Sequence, residues 1–171
     1  MNEADIRAAF DDVFDQALVF HGFTDFMRDY DLFIHATADP RTGVAPEHLR
    51  YRFTHCVKAV VETTVRQDVW IRSLDDVFTD YDTWLASGEP EGYVWGVRWS
   101  VLYPGLDLTP TSADAASWSV ALGRPMFSVT VVTNSHRIAL VFADLVVSRA
   151  ERGTTPFQVP SSGPDGKFPL S

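Results

Sequence analysis

The chain has 171 residues, 46% of them hydrophobic and 13% aromatic, which is enough to bury the core of one globular domain. Its formal net charge of −9 disfavours nucleic-acid binding, because an acidic surface repels phosphates. The acidic N-terminal segment is unlike a signal peptide, no apolar run reaches the ~20 residues of a membrane span, and the single cysteine, Cys56, indicates a reducing compartment. We therefore expect a cytoplasmic protein that binds neither nucleic acid nor a membrane.

The first part of the chain predicts one helix and two strands. Apolar residues recur at helical spacing over residues 2–20, with Asn2 as the N-cap and Gly22 as the end of the helix. Residues 30–38 predict a strand. Residues 48–65 alternate between apolar and polar side chains and predict a long, half-buried antiparallel strand. These two strands are expected to form a hairpin with a long loop.

The second part of the chain predicts two more helices, three more strands and a tail. In chain order these are a helix over 73–85, an aromatic strand over 93–103, a helix over 113–122 and a strand pair over 126–147 that turns at 134–137. The strand pair is rich in β-branched residues and is expected at the centre of a sheet. Residues 151–171 are rich in Gly, Pro and Ser and predict a disordered tail.

The element order α-β-β-α-β-α-β-β lacks the β-α-β alternation of parallel sheets, so it predicts a single α+β domain over residues 1–150. We expect a mostly antiparallel five-stranded sheet with the helices packed mainly on one face. Such a sheet has two edges that must be covered, charged or paired. A homodimer therefore remains an open alternative.

Asp144 interrupts an apolar run, and strict alternation places it on the same face as Leu140 and Phe142. A carboxylate on an apolar face is costly unless it is paired, and Arg98 on the aromatic strand is a natural partner. The functional interpretation is a polar pocket floor formed by Arg98 and Asp144. The alternatives are a β-bulge that turns Asp144 outward and a purely structural ion pair.

The five histidines are the first candidates for metal binding or catalysis: His21, His35, His48, His55 and His136. No two of them have the close spacing of metal ligands, and one cysteine excludes a cysteine-rich zinc site. His35 and His55 lie on adjacent predicted strands and could face each other, either as a structural pair or as part of a metal site. We predict no metal and no cofactor.

Three other sets of residues are considered as candidate binding or catalytic sites. Arg50, Arg52 and Lys58 form a basic stripe that we expect to be neutralised by intramolecular salt bridges, with a minor site for an anion or an acidic partner as the alternative. The tryptophans are mainly core candidates, but Trp95 and Trp99 could form a binding surface if their sheet face is open. No nucleophile motif, phosphate loop or selectable pair of catalytic acids is present, so no catalytic residue is predicted and a non-enzymatic protein is favoured.

Three segments together resemble the bacterial YxiG-like domain family: FDDVFDQALVFHGFTDFMRDY at 10–30, LRYRFTHCV at 49–57 and NSHRIALVFADLVV at 134–147. The resemblance covers about residues 6–150. It implies a small bacterial cytoplasmic protein, with a genomic association with secreted polymorphic toxins in which a small acidic protein would be an immunity factor. It supplies no catalytic residues.

Three functional hypotheses follow. The first is a protein-binding module with a basic partner, in its sharpest form a toxin-neutralising protein, because the chain is acidic and lacks a catalytic motif. The second is a small-molecule-binding domain with a polar pocket on the sheet. The third is a hydrolase or metal enzyme that uses His35 and His55.

Overall fold

The computed structural model describes residues 1–37, 45–78, 80–94, 99–109, 111–151 and 153–154. This part of the chain contains short helices, of which α1 and α5 are the longest, and more strands than helices. The helices are α1 (Glu3–Asp11), α2 (Asp25–Arg28), α3 (Gln67–Ile71), α4 (Tyr81–Ala86) and α5 (Ala113–Leu122). The strands are β1 (Ala17–Thr24), β2 (Asp29–Ala36), β3 (Glu47–Thr54), β4 (Lys58–Thr63), β5 (Ser100–Val101), β6 (Gly105–Leu108), β7 (Phe127–Val132), β8 (His136–Phe142) and β9 (Asp144–Arg149).

These strands form two antiparallel sheets. One has five strands in the order β5-β1-β2-β3-β9, and the other has four in the order β4-β8-β7-β6. Apolar side chains from both sheets and from α1 share one core, in which Phe53 of β3 meets Phe142 of β8 at a ring-centroid distance of 4.8 Å. The α+β class with antiparallel pairing is confirmed. The prediction of one five-stranded sheet with helices on one face is wrong, because the strands form two sheets whose apolar side chains pack in one shared core.

Two predicted strands are each divided between the two sheets. The strand predicted over 48–65 becomes β3 and β4, and the second half of the C-terminal strand pair becomes β8 and β9. Thr54 pairs with Asp144 and Lys58 pairs with Val141, so three residues oppose two at the bend. Such a β-bulge bends the strands and changes which face their side chains point to. An alternating sequence pattern cannot by itself show where this happens.

The predicted N-terminal helix is too long. Asn2 caps α1 as expected, because its side-chain oxygen accepts a hydrogen bond from the Asp5 N–H at 2.9 Å. The helix ends at Asp11, and Asp15 has a positive φ of 61° and donates its N–H to the Leu102 carbonyl. The residues that follow pair with β2 as strand β1. Gly22 therefore lies inside a strand, and the prediction that it ends a helix is wrong.

The C-terminal strand pair and the hairpin of β2 and β3 are confirmed. Strands β7 and β8 are the two central strands of the four-stranded sheet, and β2 pairs with β3 across a long connection. Helix α5 also lies where it was predicted. It begins after Ser112, whose side chain accepts from the Ala115 N–H, and it ends at Gly123 in the left-handed conformation.

Other predicted elements are shorter than expected or lie outside the described residues. The helix predicted over 73–85 is observed only as α4, and α3 forms in a stretch with no clear pattern. The aromatic strand is described only at its ends, where β5 pairs with β1 and Tyr93 forms a single bridge with Ser73. Residues 95–98 of this strand, and most of the predicted tail, lie outside the part of the chain that the structure describes.

Candidate ligand-binding cleft

A cleft with a volume of about 420 Å³ opens where β1 of the five-stranded sheet approaches the β7–β8 turn of the four-stranded sheet. One side is formed by residues 18–21 of β1. The rest of the lining comes from Val65, Trp70, Trp99, Ser100, Asn134, Ser135 and His136. Apolar and aromatic walls with a few polar groups are the usual composition of a small-molecule site.

The β7–β8 turn has a defined shape because Thr133 folds over it. The Thr133 hydroxyl accepts the N–H groups of Ser135 and His136 at 3.1 and 2.8 Å, and the Thr133 N–H donates to the His136 carbonyl at 2.8 Å. Turns of this kind are favoured by Ser, Thr and Asn, whose side chains bond to nearby backbone groups. The turn presents His136 at the cleft and leaves Ser135 only 9% exposed.

The same turn is bonded to the neighbouring sheet. The Ser135 hydroxyl contacts both the Ser100 hydroxyl and the His136 Nδ1, the latter at 2.9 Å. The Asn134 Oδ1 accepts the Val101 N–H at 3.0 Å. These bonds join the turn to β5, so the polar side of the cleft is organised without a ligand.

His21 lies on β1 at the other side of the cleft. Its Nδ1 lies 2.7 Å from the Tyr30 hydroxyl, and its ring centroid lies 6.2 Å from that of His136 at an interplanar angle of 62°. Burial lowers the pKa of His21, and the nearby His136 lowers it further. Burial also raises the pKa of Tyr30 to about 12, so the phenol keeps its proton at neutral pH. A phenol that donates to Nδ1 leaves the imidazole hydrogen on Nε2.

Two tryptophans give the cleft its aromatic surface. Trp70 of α3 is 54% exposed and Trp99, next to β5, is 44% exposed. Large aromatic side chains left this accessible beside fixed polar groups are typical of binding sites. Among the lining residues that the structure describes, none is Asp, Glu, Lys or Arg.

Of the residues predicted to form a site, the structure places His55 and Asp144 at one surface pocket and Trp99 in the cleft, while His35 lies in neither. Trp99 lies in the cleft, whereas Trp95 and Arg98 fall outside the described residues, so the proposed pairing of Arg98 with Asp144 remains a prediction. Asp144 follows the bend between β8 and β9, where its carboxylate accepts the Leu145 N–H at 2.9 Å and contacts the Met1 ammonium group. Its side chain is 46% exposed while Leu145 is buried. Strict alternation, which puts Asp144 on the buried face of Leu140, is wrong here, and the outward orientation fits the alternative of a β-bulge, because the bend reverses the alternation.

His35 and His55 do not face each other. His35 lies opposite His48, and the two rings stack at a centroid distance of 4.5 Å with an interplanar angle of 6°. His55 lies at the β3–β4 bend with a φ of 47°, and donates its N–H to Asp29. It lines an open surface pocket of about 660 Å³ together with Asp144. Within the described ranges, no group of three or more His, Cys, Asp or Glu residues could hold a metal ion.

The basic stripe is neutralised within the chain, as predicted. Arg50 and Arg52 both bind the carboxylate of Asp31, which has no exposed surface, and Lys58 pairs with Asp114. A fully buried carboxylate needs such partners. Arg50 and Arg52 are therefore part of the folded structure of the five-stranded sheet, and Lys58 lies on β4 of the four-stranded sheet.

The sequence interpretation missed the cleft itself. The sequence pattern puts His21 at the end of the predicted N-terminal helix, His136 in a turn and Trp70 among the core candidates. The useful pattern was Thr133-Asn134-Ser135-His136, four consecutive side chains able to form hydrogen bonds between two apolar strands. It indicates an organised polar turn, but its contact with β1 depends on the packing of two sheets.

The fold and the cleft define an α+β domain of two antiparallel sheets with a ligand-sized opening between them. The sequence profile described as "YxiG-like protein" matches residues 2–160, so the chain belongs to this family, as the resemblance of the three segments predicted. No curated protein matches the chain. No helix in the described ranges has the length and apolar character needed to span a membrane.

Proposed function

We propose that this protein binds a small organic ligand in the cleft between β1 and the β7–β8 turn. The observation that carries the proposal is the combination of two accessible tryptophans, Trp70 and Trp99, with an organised set of hydrogen-bonding groups. The cleft volume of about 420 Å³ falls in the range of known small-molecule sites. This function is the second of the hypotheses derived from the sequence, and the cleft includes Trp99 and Ser100 of the aromatic strand but not Asp144.

The polar groups favour binding over catalysis. Ser135 and His136 are in contact, which is the first requirement of an activated serine, but a catalytic base also needs a third group that orients it. Among the described residues, no carboxylate bonds to His136. The bonds from Asn134 and Ser135 to β5 instead fix the cleft before a ligand arrives, which reduces the entropy lost on binding.

The proposal is tested by screening the whole chain against small aromatic compounds with ligand-observed NMR. We expect compounds that bind the unchanged protein to lose about tenfold or more in affinity in Trp70→Ala and Trp99→Ala, because central aromatic contacts dominate binding energy. Trp118→Ala is the matched control, since Trp118 is a partly exposed tryptophan of α5 that does not line the cleft. Circular dichroism verifies that each variant is folded.

Two results would contradict the proposal that the cleft binds the ligand. One is a set of bound compounds whose affinities do not change in Trp70→Ala and Trp99→Ala. The other is an equal loss in Trp118→Ala, which would mean that the compounds bind exposed tryptophans without selecting this site.

A second function, binding of a basic protein partner, is favoured by the outer edge of the four-stranded sheet. Strand β4 is the last strand on its side of that sheet, and Val60 and Val61 are exposed on it. An exposed edge can accept a strand from another chain, and the net charge of −9 attracts a basic one. A toxin-neutralising protein is the sharpest form of this proposal.

The partner proposal is tested by capture of proteins from the native host, followed by titration of the captured basic protein. We expect one partner at equal stoichiometry, with binding lost in Val61→Lys, because a lysine blocks edge pairing and repels a basic partner. Val120→Lys adds the same charge at an exposed position of α5 and should bind normally. Absence of a basic partner, or normal binding by Val61→Lys, would remove this proposal.

A further inference from the structure

The two histidines of the cleft come from different sheets, and each uses the same ring nitrogen for a contact within the protein. His21 uses Nδ1 to contact Tyr30, and His136 uses Nδ1 to contact Ser135. Among the described residues, neither Nε2 has a hydrogen-bond partner. Two imidazoles whose centroids lie 6.2 Å apart, each with one nitrogen already engaged, leave two nitrogens available to one ligand group.

The surroundings of these rings favour a negative group. The described lining contains no carboxylate, although the whole chain has 23 Asp and Glu residues against 14 Lys and Arg. Asn134 uses its side-chain oxygen to accept from Val101, so its amide N–H groups remain available as donors. A ligand that reaches the polar side of the cleft therefore meets mainly hydrogen-bond donors.

Few other titratable groups lie near the histidine pair. Tyr30 reaches His21 from β2, and the residues that line the cleft from β5 and the β7–β8 turn are uncharged. Arg66 and Asp68 follow Val65 and precede Trp70, and they bind each other. The histidines are thus the main groups in the described surroundings whose charge can respond to a ligand.

We propose that the ligand of this cleft is a flat carboxylic acid, whose carboxylate lies between His21 and His136 and whose flat part packs against Trp70 and Trp99. This inference rests on the small-molecule function proposed above. A carboxylate favours the protonated imidazole, so binding takes up a proton and strengthens as the pH falls towards 6. A phosphate is a poorer match, because the described lining offers no arginine or lysine.

The test compares two probes of the same shape, 2-naphthoate and 2-naphthamide, by calorimetry with the whole chain. At about pH 6 we expect the carboxylate to bind about tenfold more tightly than the amide, and at about pH 8 we expect this preference to be mostly lost. His21→Gln and His136→Gln should remove the preference for the carboxylate over the amide. His35→Gln, which changes a histidine outside the cleft, should keep the preference.

The possible failures are distinguishable. Equal affinity for the two probes at both pH values would overturn the carboxylate inference and leave small-molecule binding in place. Retention of the preference in both His21→Gln and His136→Gln would also overturn it, because the carboxylate would then be recognised elsewhere. If neither probe binds and the aromatic screen also finds no ligand, the proposed function fails together with the inference.

Discussion

At the scale of single residues, the environment of a side chain decides its role more than its type. His21 and His35 are both strand histidines, but His35 stacks on His48 while His21 is partly buried beside Tyr30 and His136. The salt bridges of Arg50 and Arg52 were predictable, since an acidic chain offers many partners for a few cations. The position of His21 was not predictable, because its neighbours come from other parts of the chain.

The histidine pair makes a prediction about pKa. The pKa of His21 is lowered by burial first and by His136 second, so we expect its imidazole to titrate below the ordinary value of 6.5. In His136→Gln the second cause is removed, and the pKa of His21 should rise without reaching that value. NMR titration of the imidazole carbons measures the pKa of His21 in the unchanged protein and in His136→Gln. A His21 pKa that does not change in His136→Gln would contradict the observed pairing of the rings.

The same lowered pKa makes stability depend on pH. Below pH 6.5 the unfolded chain binds a proton at position 21 that the folded chain resists, so the free energy of unfolding should fall as the pH drops through this range. Well above pH 6.5 His21 is neutral in both the folded and the unfolded chain, so it no longer makes the free energy of unfolding depend on pH. His21→Gln should remove this part of the pH dependence in urea unfolding, whereas His35→Gln should leave it in place.

At the scale of elements, local rules predicted well where the sequence contains caps and turns. Ser112 and Gly123 bound α5, and the polar residues 134–137 mark the β7–β8 turn. Periodicity was less reliable at β1, because the apolar residues between 13 and 20 fit helical spacing and also a strand. Pairing with β2 decides between them, and no local pattern contains that information.

The end of α5 supplies a test at this scale. Gly123 has a φ of 61°, and a Cβ placed there would have no atom within 4 Å, so the cost of a side chain is conformational only. We expect Gly123→Ala to lower the free energy of unfolding by about 1 kcal/mol, and Gly123→Asn to lower it less, because asparagine tolerates this conformation. Urea unfolding measures the change. The control is Val120→Ala, a substitution at an exposed position of the same helix. If Gly123→Ala were as stable as this control, the left-handed conformation of Gly123 at the end of α5 would be contradicted.

At the scale of the whole molecule, the decisive feature is that two long strand patterns cross from one sheet to the other. The bends at 55–57 and at Ala143 divide them, and the two sheets then cover each other's apolar faces. A bulge adds one residue without leaving a distinctive composition, so the sequence predicted the class and most strands but not the second sheet. The cleft exists only because β1 and the β7–β8 turn belong to different sheets that meet, which explains why its residues were recognised separately and not as a site.

The most direct test of ligand binding is an NMR titration of the whole chain with 2-naphthoate at about pH 6 that follows the indole N–H signals, assigned by single Trp→Phe variants. Binding in the cleft predicts that the signals of Trp70 and Trp99 shift with one saturable dissociation constant, while those of Trp84 and Trp118, which do not line the cleft, stay in place. Equal shifts at all four, or shifts confined to Trp84 and Trp118, would contradict a binding site between β1 and the β7–β8 turn.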